Sequence, residues 1–372
     1  MPRSTPAPLA AAGDNAPEAA RSRVADAVLY GATGYTGHLA AHAMERSWVS
    51  MVLAGRNRES LQRMAAEFDG EHPVAVARHD DPAALAEVAS MGSVLASTAG
   101  PFMEVGELTV AAAIASGSHY LDSTGEAGFM AQTYRRHNAM AKEKGLVVMN
   151  SCAFEYVFGD CAVELALDAF PKTRSLRVSY ALPKYATRGT ALTALGIIFG
   201  NRARAIKPDS RRVDFPEPFG ERWAVVYDGG ERELLPRRRP DVDVSTLMDM
   251  PEAVARSAGM LPLLAPMMTS SPARAVMRRA VQRMPEGPTP EQRAKQEWMI
   301  LVEVDPDDAG QRRLAVSGVD PYGLTGEVLA RTAAKLVAGK QRAAGVLSPA
   351  QAFDPAETLD SMADLGISWR RL

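Results

Sequence analysis

Three regularly spaced glycines are the strongest chemical signal in this sequence. Gly31, Gly34 and Gly37 follow an apolar run over 24–30 and precede a stretch of small and apolar residues over 37–46. This order predicts a strand, a tight turn and the start of a helix, whose first N–H groups face an anion at the positive end of the helix dipole. The spacing GxxGxxG is a variant of the turn that binds a dinucleotide pyrophosphate. A glycine turn with a purely structural role is the alternative.

Each glycine of this turn has a separate predicted task. Gly31 allows a positive φ in the tight turn, because it has no Cβ. Gly34 lets the backbone approach the phosphates, and Gly37 lets the helix pack closely on the strand. The predicted phosphate-binding residues are Gly31, Thr33, Gly34, Tyr35, Thr36 and Gly37.

The end of the next predicted strand indicates which dinucleotide is bound. This strand covers 51–57 and ends in Gly55, Arg56 and Asn57. An acidic residue at this point would hold the ribose 2′-OH of NAD, whereas an arginine offers a planar fork of donors to the 2′-phosphate of NADP. We therefore expect NADP(H), with Arg56 at the phosphate and Arg58 as a second positive charge. The alternative is that Arg56 is simply a solvated residue after a strand.

Composition excludes several other classes of protein. The chain has 372 residues, of which 47% are hydrophobic and 23% charged, and its net charge is −2. This balance is that of an ordinary soluble globular protein without bulk affinity for nucleic acid. Two cysteines, Cys152 and Cys161, favour a reducing cytoplasm over a disulfide framework, and no apolar run reaches the length of a membrane span. The scattered histidines form no metal-binding motif, so no metal is expected.

Strand and helix patterns alternate over the first part of the chain. Residues 1–23, rich in alanine and proline, are predicted to be a disordered tail. The alternation over 24–160 predicts an α/β fold, a Rossmann-type doubly wound parallel sheet that binds the cofactor. Residues 161–320 predict a second α+β domain, whose antiparallel sheet covers the substrate, and 321–372 predict C-terminal helices that return to the first domain. Among the expected elements are a helix over 106–116 and, in the second domain, strands over 175–181, 223–227, 297–304 and 312–317.

Further motifs accompany the glycine turn. They are Ala54-Gly-Arg-Asn57, Ala99-Gly-Pro-Phe102, Tyr120-Leu-Asp-Ser-Thr-Gly-Glu126, Asp320-Pro-Tyr-Gly-Leu-Thr325 and Gly345-Val-Leu-Ser-Pro-Ala350. With them the sequence resembles the saccharopine dehydrogenase-like oxidoreductases, and within these the trans-acting enoyl reductases of bacterial lipid and polyketide assembly. The resemblance spans nearly the whole chain from about residue 24.

The resemblance implies how the strand ends surround the cofactor. Gly100 and Pro101 would pass beside it, and residues 123–126 would flank the nicotinamide ribose. The cofactor-binding residues implied beyond the glycine turn and Arg56 are Asn57, Asp80, Ala99, Gly100, Pro101, Phe102, Ser123 and Gly125.

One segment departs from the family pattern, at the predicted exit of the sixth strand. Over 153–160 the family's Asp is replaced by Glu155 and its Pro by Phe158. Tyr156 and Phe158 are expected at the mouth of the active site, which indicates an apolar or planar substrate. Tyr156 is the predicted proton donor, because a phenol can protonate an enolate after hydride transfer. An aromatic wall residue is the alternative role.

Two acids at the end of the fifth predicted strand are further catalytic candidates. Asp122 and Glu126 lie where an open α/β sheet places its site, at the carboxyl ends of the strands. Helix capping by Ser123, Thr124 or Glu126 is the alternative.

Residues 246–285 are rich in methionine and predict a helical insertion. Because methionine adapts to irregular apolar ligands, one interpretation is a lid over a lipid-like substrate. Ordinary helical packing or a dimer contact is the other. Four arginines at helical spacing could receive an acidic carrier protein or form a solvated helix face, and they are Arg274, Arg278, Arg279 and Arg283.

Together these features predict an NADPH-dependent reductase of a conjugated C=C bond in a polyketide, lipid or other secondary-metabolite intermediate. Two alternatives remain: reduction of a C=N bond in the manner of a saccharopine reductase, and a regulatory or structural protein that binds NADP without turnover. The expected partner is a small apolar or unsaturated molecule, free or bound to a carrier protein. A homodimer would add a second copy of the chain.

Overall fold

The structure is a computed structural model that describes residues 23–182, 187–191, 209–257, 271–307 and 312–372. Nearly all of the tail predicted for 1–23 lies outside the described residues. So do residues 258–270, which hold Met260, Met267 and Met268 of the methionine-rich segment.

Seven parallel strands form the first sheet. Their continuous apolar sequences suit a sheet that is covered by helices on both faces. The strands are β1 (Ala25–Tyr30), β2 (Met51–Gly55), β3 (Val74–Val76), β4 (Gly92–Ser97), β5 (His119–Asp122), β6 (Val147–Met149) and β13 (Gly345–Val346). They lie in the order β13-β6-β5-β4-β1-β2-β3. The expected parallel α/β sheet is therefore confirmed, with an additional edge strand from the C-terminal part of the chain.

Five helices connect the strands of this sheet. They are α1 (Tyr35–Arg46), α2 (Arg58–Ala65), α3 (Pro82–Ser90), α4 (Phe102–Ala115) and α5 (Ala127–Glu143). The side chain of Asp81 accepts a hydrogen bond from the N–H of Ala84 (3.1 Å) and so caps α3. Helix α4 begins before the predicted residue 106, because the carboxylate of Glu126 accepts hydrogen bonds from the N–H groups of Phe102 (2.8 Å) and Met103 (3.0 Å). A cap from a distant residue leaves no local signal in the sequence.

A buried helix, α6 (Phe154–Ala169), stands between the two sheets. It replaces the open strand exit expected at 153–160, and the predicted domain boundary at residue 160 falls inside it. Phe158 is fully buried and stacks on Trp298 of the second sheet, with ring centroids 5.5 Å apart. The prediction that Phe158 lines the mouth of the active site is therefore wrong, because its ring completes the core between α6 and this sheet.

The second sheet also has seven strands. They are β7 (Ser175–Ala181), β8 (Ser210–Phe215), β9 (Gly220–Tyr227), β10 (Asp243–Asp249), β11 (Glu297–Val304), β12 (Arg312–Val319) and β14 (Ser368–Arg371). Their order is β14-β12-β11-β7-β10-β9-β8. The sheet is mixed rather than antiparallel throughout, because β7 and β10 pair in parallel. Residues 246–249 belong to β10, so the helical insertion predicted from residue 246 is wrong at its start.

The remaining described helices include the long α11 (Pro321–Val337), which packs on α1 of the first domain. A Cβ at Gly326 would lie 2.9 Å from the Leu39 carbonyl, so glycine allows the two helix backbones to approach closely. The shorter helices are α7 (Glu231–Leu234), α8 (Glu252–Ser257), α9 (Ser271–Gln282), α10 (Pro290–Ala294), α12 (Pro349–Ala352) and α13 (Pro355–Asp360). Among the described residues, every helix is too short or too polar to traverse a bilayer.

Candidate active site

The glycine turn joins β1 to α1 and has the conformation that its sequence predicts. Gly31 has a φ of +85°, and a Cβ there would lie 2.8 Å from the backbone N of Ala99. A Cβ at Gly37 would overlap the carbonyl oxygen of Gly31. Two of the three glycines are therefore required by the packing of the turn itself.

Gly34 has a different environment. It is exposed, and a Cβ there would meet only the Gly31 carbonyl oxygen, at 3.4 Å. The fold therefore tolerates a side chain at this position. A glycine that packing does not require, at the tip of a turn, is suited to the close approach of a ligand to the backbone.

The start of α1 is open to an anion. Its N-cap residue, Gly34, provides no side-chain hydrogen bond, and its first turn contains no acidic residue. The first N–H groups of a helix have no partner within the helix, and they carry the positive end of its dipole. Thr33 and Gly34 are exposed beside these groups, so the predicted cradle fits a pyrophosphate.

Three predicted cofactor residues lie near the ends of β2 and β3, and the structure separates their roles. Arg56 is exposed directly after β2. The side chain of Asn57 caps α2 by accepting a hydrogen bond from the N–H of Ser60 (3.0 Å). Asp80 holds Arg78 through two hydrogen bonds of 3.0 Å each. Of the three predicted side chains, Asn57 and Asp80 are engaged within the protein, whereas the Arg56 guanidinium faces solvent.

The segment after β4 lies beside the glycine turn. The Thr98 hydroxyl donates a hydrogen bond to the Gly31 carbonyl (3.0 Å), and Ala99 follows against the turn. Gly100 is exposed and Pro101 partly so. Phe102 is buried and stacks on Phe129, with ring centroids 6.0 Å apart. The backbone over 98–101 therefore borders the cradle, whereas the Phe102 ring belongs to the core.

Asp122 is fully buried at the end of β5. Its carboxylate accepts hydrogen bonds from the N–H groups of Thr124 and Ser151, at 3.0 Å each, and from the Asn150 amide (2.7 Å). Burial raises its pKa to about 6, although these hydrogen bonds favour the charged form. The carboxylate ties together the ends of β5 and β6, and it holds the turn that carries Ser123 and Gly125, both partly exposed.

Tyr156 lies in a buried cluster rather than at an open mouth. It packs with Met130 and Leu234, and its ring lies directly beside Gly230. Its hydroxyl interacts with Tyr227, and burial raises the pKa of the phenol well above its ordinary value. Nearby, the Tyr180 hydroxyl donates to the buried carboxyl of Glu231, whose pKa burial raises to about 7.

Glu155 is a residue whose role sequence reasoning missed. It is the second residue of α6, six positions after the end of β6, and it is half-buried. Burial of its carboxyl raises the pKa to about 7, and its charge raises the pKa values of Tyr227 and Tyr322. Burial thus raises the pKa of this carboxyl group towards neutrality. The available signal was an acidic residue in the first turn of a helix that follows a strand end.

The two halves of the site meet at Tyr35 and Tyr322, at the starts of α1 and α11. Their rings form an edge-to-face pair with centroids 5.8 Å apart. The Tyr35 hydroxyl donates to the carbonyl of Pro288 (2.6 Å), and the Tyr322 hydroxyl accepts from the N–H of Thr187 (3.0 Å). Through these contacts Thr187, which follows β7, and Pro288, which precedes β11, lie close to the predicted cradle.

Comparison with known proteins agrees with this geometry. Residues 27–149 match a family described as the saccharopine dehydrogenase NADP binding domain. A trans-acting enoyl reductase of Mycobacterium leprae is 34% identical over 143 residues, which cover 37% of this chain and 34% of that protein. A lipid droplet localized protein of Caenorhabditis elegans is 28% identical over 149 residues, covering 37% of this chain and 35% of that one. The matched region thus spans about a third of each relative.

One solved structure shares the architecture of nearly the whole chain. It is an apo saccharopine dehydrogenase (L-Glu forming) from Saccharomyces cerevisiae, with a TM-score of 0.59 and 12% identity, and the match covers 94% of this chain and 100% of that one. At this identity the likeness concerns the fold. Residues 27–149 are similar to the NADP binding domain of saccharopine dehydrogenase, and NADP(H) is the cofactor of this domain. The expected family resemblance, fold class and cofactor are therefore confirmed.

Proposed function

We propose that this protein is an NADPH-dependent reductase of a conjugated C=C bond in a polyketide, lipid or other secondary-metabolite intermediate. The observation that carries the proposal is the likeness of the NADP-binding region to proteins named trans-acting enoyl reductases. In this proposal the first sheet binds the cofactor, and the second sheet with its connections covers the substrate.

The glycine turn and Arg56 would hold the cofactor. The N–H groups at the start of α1 would bind the pyrophosphate, and the exposed Arg56 guanidinium would bind the 2′-phosphate through charge-assisted hydrogen bonds. The backbone over 98–101, together with Ser123 and Gly125, flanks the nicotinamide end. When bound, reduced nicotinamide supplies the hydride that adds to the acceptor carbon.

Glu155 would supply the proton. Addition of hydride to a conjugated C=C bond leaves an enolate, and the neighbouring carbon must then receive a proton. A carboxyl group with a pKa of about 7 is protonated in a large fraction of molecules at neutral pH and still transfers its proton readily. Glu155 is half-buried and its charge raises the pKa of Tyr322, whereas Tyr156 is buried. We therefore propose Glu155 as the proton donor and Tyr156 as an aromatic wall residue.

Asp122 and Glu126 would position the site without touching the substrate. Asp122 fixes the ends of β5 and β6 through three hydrogen bonds. Glu126 fixes the start of α4, directly after Gly100 and Pro101. Each carboxylate thus holds a backbone segment that borders the nicotinamide end in this proposal.

A substrate panel tests the proposed reaction. Purified protein is mixed with NADPH and either 2-enoyl thioesters or cyclic imines, and NADPH oxidation is followed together with product mass. We expect oxidation with the enoyl thioesters and a product that has gained two hydrogens. Turnover of imines alone would favour C=N reduction. Tight NADPH binding without turnover of either class would favour a regulatory or structural role.

A second panel tests how the substrate is presented. The same enoyl chain is offered on an acidic carrier protein and on a short thiol. Arg279 and Arg283 are exposed at the end of α9, and they supply the positive charge for a carrier. If a carrier is used, charge reversal at both positions should raise the KM for the carrier-bound chain and leave the KM for the short thioester unchanged.

A further inference from the structure

Two histidines and one glutamate converge beside α1, where His38 directly follows Gly37 of the glycine turn. His38 and His42 are one helical turn apart, and their Nε2 atoms are 3.2 Å from each other. Glu67 comes from the segment after α2, and its Oε2 lies 3.4 Å from His38 Nε2 and 4.0 Å from His42 Nε2. Three atoms that are good metal ligands therefore form a small triangle on the surface.

The size of this triangle matches a tetrahedral metal centre. Zinc lies about 2.0–2.1 Å from imidazole nitrogen and carboxylate oxygen, and the edge of a tetrahedron is about 1.6 times that distance, or roughly 3.3 Å. Two of the three edges observed here, 3.2 and 3.4 Å, are close to this value. The third edge is 4.0 Å long and ends on Glu67, the most exposed of the three side chains.

We propose that His38, His42 and Glu67 bind a divalent transition metal ion, Zn²⁺ by the chemistry of the ligands. Two imidazoles and one carboxylate are a ligand set that suits zinc, whereas magnesium and calcium prefer oxygen ligands alone. The three side chains are 42%, 38% and 46% exposed, so the fourth position of the tetrahedron is open to water.

The close approach of the His38 and His42 rings favours ring nitrogens that are free to bind a metal ion. Two ring nitrogens that face each other at 3.2 Å share at most one proton between them. Phe68 packs on the His42 ring, with centroids 4.8 Å apart, and limits its rotation.

The position of the site suggests what the ion would do. It would link the middle of α1 to the segment after α2, and thereby hold the helix whose first turn forms the cofactor cradle. His42 also borders a cleft of about 410 Å³, which Arg46, Arg293, Asp320 and Glu327 line. His42 thus places one of the three proposed ligands at the edge of this cleft.

Calorimetric titration with ZnCl₂ tests the proposal. The full chain is prepared without a polyhistidine tag and stripped with EDTA. We expect one Zn²⁺ per chain with a dissociation constant of about 10 µM or tighter. His38→Ala and His42→Ala should each weaken binding by about 10²-fold or more, since even residues that only support metal ligands cost 10–100-fold. Glu67→Gln keeps the shape of the side chain and should weaken binding less.

Two controls separate this site from general affinity for zinc. His79→Ala removes a partly exposed histidine from the segment after β3 and should leave the affinity unchanged. Co²⁺ in place of Zn²⁺ should give the strong visible absorption of a tetrahedral centre, and this absorption should disappear in His42→Ala. Saturation only at millimolar zinc, or equal affinity of the wild type and both histidine variants, would overturn the proposal. A folded circular dichroism spectrum is required of each variant.

Discussion

The cofactor cradle and the cluster around Glu155 differ in their exposure and in whether backbone or side-chain atoms form them. The cradle is exposed and uses backbone N–H groups that seven consecutive residues, 31–37, arrange. The cluster is largely buried and uses side chains from widely separated positions, among them Glu155, Tyr227, Glu231 and Tyr322. Binding an anion needs only a correctly shaped turn, whereas shifting the pKa of a carboxyl group needs several elements to exclude water from it.

Gly34→Val gives the largest expected effect and tests the cradle alone. The valine side chain would occupy the space of the pyrophosphate, so NADPH binding should be lost in a calorimetric titration. The melting temperature should change little, because a Cβ at Gly34 meets only one backbone oxygen. Gly70→Val, at another exposed glycine, is the matched control and should bind NADPH normally. Normal NADPH binding by Gly34→Val would show that the glycine turn has only a structural role.

Glu155→Gln and Tyr156→Phe compare adjacent residues of the second region. If Glu155 donates the proton, Glu155→Gln should lower kcat by about 10²-fold or more, whereas Tyr156→Phe should barely change it. In the wild type, kcat/KM should fall as the pH rises through about 7, because the proton is then lost from Glu155. A large loss of kcat in Tyr156→Phe, with little change in Glu155→Gln, would instead identify Tyr156 as the proton donor.

Arg56→Asp tests which dinucleotide the first region prefers. The change replaces a charge-assisted hydrogen bond with repulsion, so the Kd for NADPH should rise by about 10²-fold and that for NADH far less. Arg63→Asp makes the same charge change at the other end of α2 and serves as the control. Equal weakening of both cofactors by Arg56→Asp would contradict the assignment of Arg56 to the 2′-phosphate.

Glu231→Gln has the smallest expected effect and concerns stability. The folded-state pKa of Glu231, about 7, is higher than the ordinary value of about 4.3 in the unfolded chain, so the folded state holds the proton more tightly. Stability should therefore fall as the pH rises between those two values, because the unfolded chain loses the Glu231 proton first. Denaturant unfolding at several pH values should show a shallower decline in Glu231→Gln. An unchanged slope would mean that Glu231 is charged throughout.

Prediction from sequence succeeded where a short segment determines its own structure. The glycine turn and the strands over 175–181 and 297–304 are set by neighbouring residues along the chain, and the structure has them as expected. The family and the NADP cofactor follow from the same local motifs. The individual contacts of the cofactor residues stay predictions.

Prediction failed where a distant residue decides the outcome. The start of α4 depends on Glu126, 24 residues away from Phe102 along the chain. The burial of Phe158 depends on Trp298, and the environment of Glu155 depends on Tyr227 and Tyr322. The cluster of His38, His42 and Glu67 could not be predicted for the same reason, since the sequence alone does not bring Glu67 beside the two histidines. Such contacts are set by packing between elements, and no local spacing encodes them.

The two strands contributed by the C-terminal part of the chain have a consequence for biosynthesis. β13 pairs with β6 through Val147 and Val148, and β14 pairs with β12, so the last segments complete one edge of each sheet. A ribosome synthesises β6 almost 200 residues before it reaches β13. During that interval the apolar edge of Val147–Met149 is unpaired, and an unpaired edge of this kind is a site for association between nascent chains. The time between the synthesis of these two strands thus sets how long this edge stays unpaired on the ribosome.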